Sequence, residues 1–380
     1  MIAGSPEQIQ EKWKPIFRPD LRKDTELERL RDSTNRESAL IATIPVSIVT
    51  GFLGSGKTTL LNRVLTQPDM AGTLAIINEF GEIGLDHLLV EVSEERLALL
   101  DNGCVCCTVR DDLVSTLKQV AANRPVERVI LETTGLADPA PILHAMMADP
   151  VLAARFRIAG VITTVDAVNG AATLETYAEA RKQLAVADQV VLTKTDIADR
   201  GLRHAAEHWI GDLAPSARLI LADALDPASL LEQRPSALSD ASDVVEALDR
   251  LSGHDHCHAE GCDHHHHAGH TDIRTFAFVV DQPIEWAAFR QWLDYFAAIR
   301  GADLLRMKGL VGTLDAPDQP ILLHGVQHVL HAPKRLEAWP SGDRRTRLIF
   351  IVRNLSRETI ETTLAKFAGI EIRRLVSVAA

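Results

Sequence analysis

The sequence lacks any run of 18 or more apolar residues, the length that a helix needs to cross a bilayer. Its first residues, Met1 to Lys14, also lack the apolar core of a secretory signal, which predicts a cytoplasmic protein. Positive charge is not in excess either, because the net charge is −12 at pH 7, whereas a nucleic-acid surface needs a basic footprint. We therefore expect neither a membrane nor a nucleic acid among the partners, and the negative charge suits a protein that handles cations.

Cysteine is scarce as well, with five residues in 380, and three of them are crowded at Cys104, Cys106 and Cys107. This number and spacing do not fit a disulfide framework. In a reducing compartment, such a cluster indicates metal or redox chemistry instead.

The pattern along the chain divides it into four parts. Residues 1–43 form a charged arm without a strand pattern, and residues 44–252 alternate apolar strands with helical segments. Residues 253–271 are a histidine-rich linker, and residues 272–380 change to a different arrangement of strands and amphipathic helices. Since 46% of the residues are hydrophobic, the chain can bury a large core, and two folded domains are expected.

The first domain is predicted to contain a mostly parallel sheet, because its strands are near-continuous apolar runs of the kind that helices cover on both faces. We predict these strands at 44–50, 73–78, 97–100, 128–132, 158–165, 189–193 and 217–222, with polar helical residues at 225–252. In the second domain we predict strands at 273–280, 303–311, 320–331 and 346–353, and helices at 283–300 and 356–368. The fold class is therefore α/β, plus a smaller α+β domain with a largely antiparallel sheet.

A glycine-rich loop follows the first strand and opens a helical pattern over 59–65, which is the context of a P-loop. Its candidate nucleotide-binding residues are Gly51, Gly54, Ser55, Gly56, Lys57, Thr58 and Thr59. The glycines let backbone N–H groups turn toward phosphate oxygens, and the helix dipole favours the negative charge. Lys57 is expected to reach the β- and γ-phosphates and Thr58 to bind Mg²⁺. The loop predicts binding of a nucleoside triphosphate.

Two later motifs complete this prediction. Glu132 ends a buried strand, where an acid holds Mg²⁺ directly or through water, and the N–H of Gly135 can sense the γ-phosphate. Thr193, Lys194 and Asp196 follow another apolar strand and resemble the guanine-reading motif of GTPases, with threonine in place of the usual asparagine. An aspartate accepts from two guanine donors that adenine does not offer, so GTP is favoured over ATP.

A polar segment at 78–87 lies between the second strand and the cysteines. Its two glycines suit a switch that orders with the nucleotide and places Glu79 or Asp86 near Mg²⁺ or the attacking water. An ordinary loop is the alternative.

The cysteines precede a helical pattern over 108–122, and a helix N-terminus lowers thiol pKa values. Thiolates select Zn²⁺ or Co²⁺ over Mg²⁺. Cys104, Cys106 and Cys107 are too close together for all three to be easy tetrahedral ligands, so Glu79 or a nearby histidine or acid is a candidate to complete the shell. Core cysteines are the alternative.

The linker is a second candidate metal site, because its density of imidazoles suits borderline metals without one fixed geometry. Its candidate ligands are His254, His256, His258, His264, His265, His266 and His267. A solvated linker without metal is the alternative.

Together these motifs resemble the CobW-type P-loop GTPases, a family of nucleotide-dependent metallochaperones. The matching stretches are 51–59, 78–86, 104–107, 132–135 and 193–196, followed by 304–309 and 324–330. The resemblance covers residues 44–380 and implies a P-loop GTPase domain with a smaller CobW C-terminal domain. It also implies slow GTP hydrolysis that delivers zinc, cobalt or iron to a client metalloprotein or metal-cofactor enzyme. The resemblance also implies catalytic roles for Lys57, Glu132 and Glu79. A homodimer is possible.

Two other functions remain alternatives at this stage. A passive zinc store would use the histidine tract and carry a vestigial nucleotide site, although Lys57, Thr58 and Glu132 are all present. A P-loop phosphotransferase would leave the cysteine cluster without a role.

Overall fold

The computed structural model describes residues 43–77, 97–99, 108–123, 126–231, 244–245 and 272–370. The predicted arm, apart from Thr43, lies outside these residues. Contacts within the chain place Ile44–Ala380 in one unit, and the description below concerns that unit.

The N-terminal sheet has seven strands in the order β3-β2-β4-β1-β5-β6-β7, and every recorded pair in it is parallel. Its strands are β1 (Ile44–Gly51), β2 (Thr73–Ile77), β3 (Leu97–Leu99), β4 (Arg128–Glu132), β5 (Phe156–Asp166), β6 (Gln189–Thr193) and β7 (Arg218–Leu221). Its helices are α1 (Lys57–Leu65), α2 (Thr108–Asn123), α3 (Ala140–Ala148), α4 (Pro150–Arg155), α5 (Gly170–Thr176), α6 (Ala178–Ala185), α7 (Arg200–Leu213) and α8 (Pro227–Leu231).

Alternation along the strands explains why helices cover both faces of this sheet. Ile48 of β1 packs in one apolar cluster with Leu113 of α2 and Leu143 of α3. The next residue, Val49, packs in a different cluster with Leu61 of α1. Because successive side chains of a strand point to opposite faces, both faces of β1 are apolar and buried. The predicted α/β class with a parallel sheet is confirmed.

The C-terminal sheet has six strands and is antiparallel in all its recorded pairs. Its strands are β8 (Ile273–Val280), β9 (Leu304–Val311), β10 (Ile321–Val326), β11 (Val329–Leu330), β12 (Lys334–Arg335) and β13 (Thr346–Arg353). Two helices, α9 (Trp286–Arg300) and α10 (Arg357–Ala368), pack against each other and share an apolar cluster with the sheet. The predicted α+β arrangement is confirmed.

Two predicted elements of this part differ from the structure. The strand predicted at 320–331 is a hairpin, because Gln327 takes a left-handed φ of 52° and the chain reverses between β10 and β11. The helix predicted from Pro283 begins later, at Trp286, with the Glu285 carboxylate accepting from two backbone N–H groups. Ile284 instead forms a bridge to Thr313, which keeps this segment out of the helix. Of the predicted helical residues 225–252, the structure describes a helix at Pro227–Leu231, and most of the others lie outside the described residues.

A buried ion pair joins the two sheets. Arg306 of β9 pairs with Asp188, which precedes β6, and donates to the carbonyl oxygen of Val186. Lys308, 1% exposed, lies 3.9 Å from the same carboxylate and donates to the Ser216 carbonyl at 3.3 Å. Partial burial raises the pKa of Asp188, but the charges of Arg306 and Lys308 outweigh it, so the pKa lies well below its usual range. The carboxylate is therefore ionised at neutral pH and holds two cations of the C-terminal sheet.

Candidate functional site

The loop between β1 and α1 has the backbone that its glycines predict. Gly51, Gly54 and Gly56 have φ values of 141°, 71° and 92°, a region that side chains with a Cβ rarely adopt. Gly56 is the residue before the first turn of α1, so the helix begins directly at Lys57. The N–H groups and positive dipole end of α1 therefore meet at this loop, an arrangement that suits a bound phosphate.

The side chain of Lys57, the first residue of α1, folds back onto the start of the P-loop. Its Nζ donates to the carbonyl oxygens of Gly51 at 2.9 Å and Phe52 at 3.2 Å, and the side chain is nearly buried. These two carbonyls hold the ammonium group at the mouth of the loop, where a phosphate would meet it. The role of Lys57 in binding the β- and γ-phosphates stays a prediction.

Thr193 joins the predicted base-reading loop to the P-loop. Its hydroxyl lies 2.7 Å from the Ser55 carbonyl oxygen, to which it donates, and 3.2 Å from that of Val165. Ser55 makes a second link, from its Oγ to Thr164 Oγ1 at 2.6 Å. The hydroxyl of Thr193 thus supplies a polar contact to the phosphate loop at the position where asparagine is usual.

Lys194 is held by an acid that sequence reasoning missed. Its Nζ lies 2.6 Å from Asp166 Oδ2, and its φ of 57° places the residue in the left-handed region. Burial raises the pKa of Asp166, but the bonds from Lys194, Val168 and Asn169 outweigh this effect and leave it below its usual range. The carboxylate therefore stays ionised. An acid at the end of an apolar strand, the signal that identified Glu132, could also have found Asp166.

Glu132 and the residues after it lie beside the P-loop. Glu132 is buried at the carboxyl end of β4, in register with Val49 on one side and Ile77 on the other. The next residue, Thr133, donates its N–H to the Val49 carbonyl at 2.9 Å. Since β1 leads directly into the loop, the acid and the loop share one edge of the sheet.

Gly135 lies directly against the P-loop. A Cβ at this position would lie 2.6 Å from Leu53 Cδ2 and 2.8 Å from the Leu53 backbone nitrogen, which is too close for any side chain. The backbone of the segment after Glu132 is therefore pressed against the loop that is expected to hold the phosphates. Asp196, by contrast, is exposed, and its contact with a guanine base stays a prediction.

Oxygen donors suited to Mg²⁺ are present at this edge. The partly exposed hydroxyl of Thr58 and the buried carboxylate of Glu132 are the hard ligands that this ion prefers. The residues therefore fit the ion that a triphosphate brings.

Other predicted metal residues cannot be placed. Glu79, the three clustered cysteines and the histidines of the linker lie outside the described residues. Among the residues that the structure does describe, no group of three or more His, Cys, Asp or Glu side chains could hold a metal ion. Within the same part of the chain, no helix has the length and apolar character of a membrane span.

A glycine-rich loop between a strand and a helix at the carboxyl end of a parallel sheet, with Lys57 bonded to its carbonyls, defines a P-loop nucleotide-binding protein. Two family profiles match the chain. The profile for "CobW/HypB/UreG, nucleotide-binding domain" matches residues 45–220, and that for "Cobalamin synthesis protein cobW C-terminal domain" matches residues 273–368. Together they cover more than half of the sequence, and the chain belongs to the CobW family of P-loop GTPases.

Characterised relatives match over most of their length. The zinc chaperone YjiA of Escherichia coli is 30% identical over 337 residues, which is 86% of this chain and 98% of the relative. The zinc chaperone CobW of Pseudomonas aeruginosa is 31% identical over 356 residues, covering 85% and 91%. The crystal structure of Zn(II)-bound YjiA GTPase from E. coli superposes with a TM-score of 0.59 at 22% identity, covering 86% and 99%. At that identity the superposition supports the fold alone.

Proposed function

We propose that this protein is a GTP-hydrolysing metallochaperone that loads zinc at the cysteine cluster and passes it to a client metalloprotein. The observation that carries the proposal is that the P-loop, Glu132 and the predicted base-reading loop lie together. Thr193 bonds to Ser55 of the P-loop, and Thr133, next to Glu132, bonds to Val49 of the strand before the P-loop. Relatives described as zinc chaperones match this chain over nearly their whole length, and this match favours zinc over cobalt or iron as the metal.

Each candidate nucleotide-binding residue has a separate role in the proposed transfer of the γ-phosphate. Lys57 would neutralise the β- and γ-phosphates, and the N–H of Gly135 would meet the γ-phosphate. Thr58 and Glu132 would hold Mg²⁺, which would supply positive charge to the phosphate oxygens. Asp196 accepts from guanine, and Glu79 is the candidate to position the attacking water. The remaining loop positions, Gly51, Gly54, Ser55, Gly56 and Thr59, supply the backbone that surrounds the phosphates.

The strand register supports coupling between this site and the cysteines. Ile77 pairs with Glu132 on one side and with Leu99 on the other. Because neighbouring strands lie about 4.8 Å apart, Leu99 is about 10 Å from Glu132 across the sheet. The segment with Glu79 follows Ile77, and the segment with Cys104, Cys106 and Cys107 lies between Leu99 and the first residue of α2. Both segments therefore start at the edge where the γ-phosphate is expected.

The test is the zinc affinity of the full chain without nucleotide, with GDP·Mg²⁺, and with a non-hydrolysable GTP analogue·Mg²⁺. We expect at least a tenfold difference between the GDP and analogue states, and linkage requires zinc to change analogue affinity by the same factor. The variant Cys106→Ala/Cys107→Ala should lose this difference but still bind GTP. The matched control is Cys257→Ala/Cys262→Ala, which changes the two other cysteines of the chain. Equal affinities in every nucleotide state would contradict the proposal and favour passive zinc storage.

The histidine tract is proposed to add weak zinc sites without setting the coupling. Deleting residues 254–270 should lower the number of weakly bound ions and leave one tight site and GTP hydrolysis unchanged. Loss of the tight site in this variant would move the functional metal site to the tract.

A further inference from the structure

Gln183 of α6 is fully buried and contacts the segment that follows Glu132. Its Nε2 donates to the carbonyl oxygens of Gly135 at 3.1 Å and Ala137 at 3.0 Å. Both partners can only accept, so the amide nitrogen must face them. One side chain therefore fixes two peptide groups of the turn that presses on the P-loop.

The oxygen of the same side-chain amide lacks a hydrogen-bond partner among the described residues. This atom, Gln183 Oε1, is buried. Buried polar atoms are nearly always paired, because leaving one unpaired is unfavourable. A leucine or methionine would fill this space without that cost. The two bonds to the turn are the interaction that favours glutamine at this position.

The helix that carries Gln183 contacts both the central sheet and the P-loop. Its backbone carbonyl accepts from Thr163 Oγ1 of β5 at 2.9 Å, which ties α6 to the central sheet. Just before α6, the ring of Tyr177 lies 4.5 Å from that of Phe52 in the P-loop. Gln183 also lines a cavity of about 140 Å³ beside the P-loop, together with Leu53. The glutamine thus holds the turn from a helix that is itself attached to the phosphate loop.

We propose that Gln183 is a positioning residue for triphosphate recognition, which fixes the Gly135–Leu136 peptide and, through the Cα of Gly135, the preceding peptide whose N–H can meet the γ-phosphate. The inference rests on the proposed GTPase function. GDP lacks the γ-phosphate, so the position of this peptide affects GTP and leaves GDP unaffected. A side chain with a purely structural role would change the stability of the protein and affect both nucleotides alike.

The test is Gln183→Met in the full chain, which keeps the length of the side chain and removes both bonds. We expect about tenfold weaker binding of a non-hydrolysable GTP analogue, equivalent to about 1.4 kcal/mol, with a matching fall in kcat/KM. GDP affinity should stay within twofold of wild type. The control is Gln189→Met, because Gln189 Nε2 likewise donates to a backbone carbonyl, that of Leu230 at 3.2 Å, but away from the turn. This control should leave the GTP-to-GDP affinity ratio unchanged.

A second measurement needs no variant. In wild-type protein, the GTP analogue should slow hydrogen exchange more than GDP does. We expect this slowing both in the peptide that contains Gly135 and in the separate peptide that contains Gln183. Equal exchange in both states, or an unchanged affinity ratio in a folded Gln183→Met, would overturn the inference while GTP hydrolysis by the wild type stands. Absence of GTP hydrolysis by the wild type would refute the proposed function and this inference with it.

Discussion

Removing Arg306 tests how strongly the two sheets are held together. The variant Arg306→Met keeps much of the side-chain volume but deletes the ion pair with Asp188 and the bond to Val186. Taking one partner from a buried pair costs about 3–5 kcal/mol, because the other charge stays buried. The Asp188 side chain is 34% exposed and keeps Lys308 at 3.9 Å and the Val161 N–H at 2.9 Å. Because this carboxylate is partly hydrated and keeps two other partners, we expect a smaller loss than for a fully buried pair, about 2–3 kcal/mol.

A double-mutant cycle separates the pair from the packing of the arginine. Asp188→Asn retains an oxygen that can accept from Val161, and the double variant with Arg306→Met removes both charges. We expect a coupling of about 2 kcal/mol, which exceeds the error of additivity of about 0.5 kcal/mol. Urea unfolding at pH 7, followed by tryptophan fluorescence, measures each stability. Additive losses within that error would show that the ion pair does not couple the sheets.

Three further predictions concern the nucleotide site and the pH dependence. Lys57→Ala should abolish GTP hydrolysis and leave the urea midpoint nearly unchanged, because the lost charge faces phosphates and not the core; hydrolysis at the wild-type rate would remove the P-loop from the mechanism. Asp196→Asn should weaken GTP binding by about 1.5–3 kcal/mol in competition titrations, since a charge-assisted bond to guanine is lost, and equal competition by ATP in the wild type would contradict guanine recognition. Burial, followed by the charge of Lys308, lowers the pKa of His324 to about 3, below the ordinary 6.5, so the unfolded chain takes up its proton first as the pH falls. The contribution of His324 to stability should therefore fall by roughly 2 kcal/mol between pH 7 and pH 5. A His324→Gln variant should lose this part of the slope and keep the part due to His331, whose pKa is also lowered by burial.

Most of the fold was predictable because its signals are local. β4, β6, β8 and β13 lie at the predicted residues, since each is an apolar run bounded by polar or turn residues. The P-loop was predictable for the same reason, because its glycines are contiguous in sequence. The hairpin at Gln327 was not, since a left-handed residue that is neither glycine nor asparagine leaves no compositional mark.

Contacts between distant residues were beyond sequence reasoning. Nothing near Thr193 indicates that its hydroxyl bonds to Ser55, which is 138 residues away. Gln183 likewise lies within an ordinary amphipathic helix, and its role depends on a turn 46 to 48 residues earlier. Such pairs are set by the order of strands in the sheet, which a single sequence does not specify.

The ion pair at Asp188 has a consequence for how the two sheets are joined. Arg306 and Lys308 both extend from β9 of the C-terminal sheet, and both meet the same carboxylate. Leu305 and Ile351 add an apolar contact, because they share a cluster with the apolar residues of α6. The two charged links depend on one residue, so a single substitution at Asp188 would remove both of them, whereas loss of Lys308 would leave the contact with Arg306 in place.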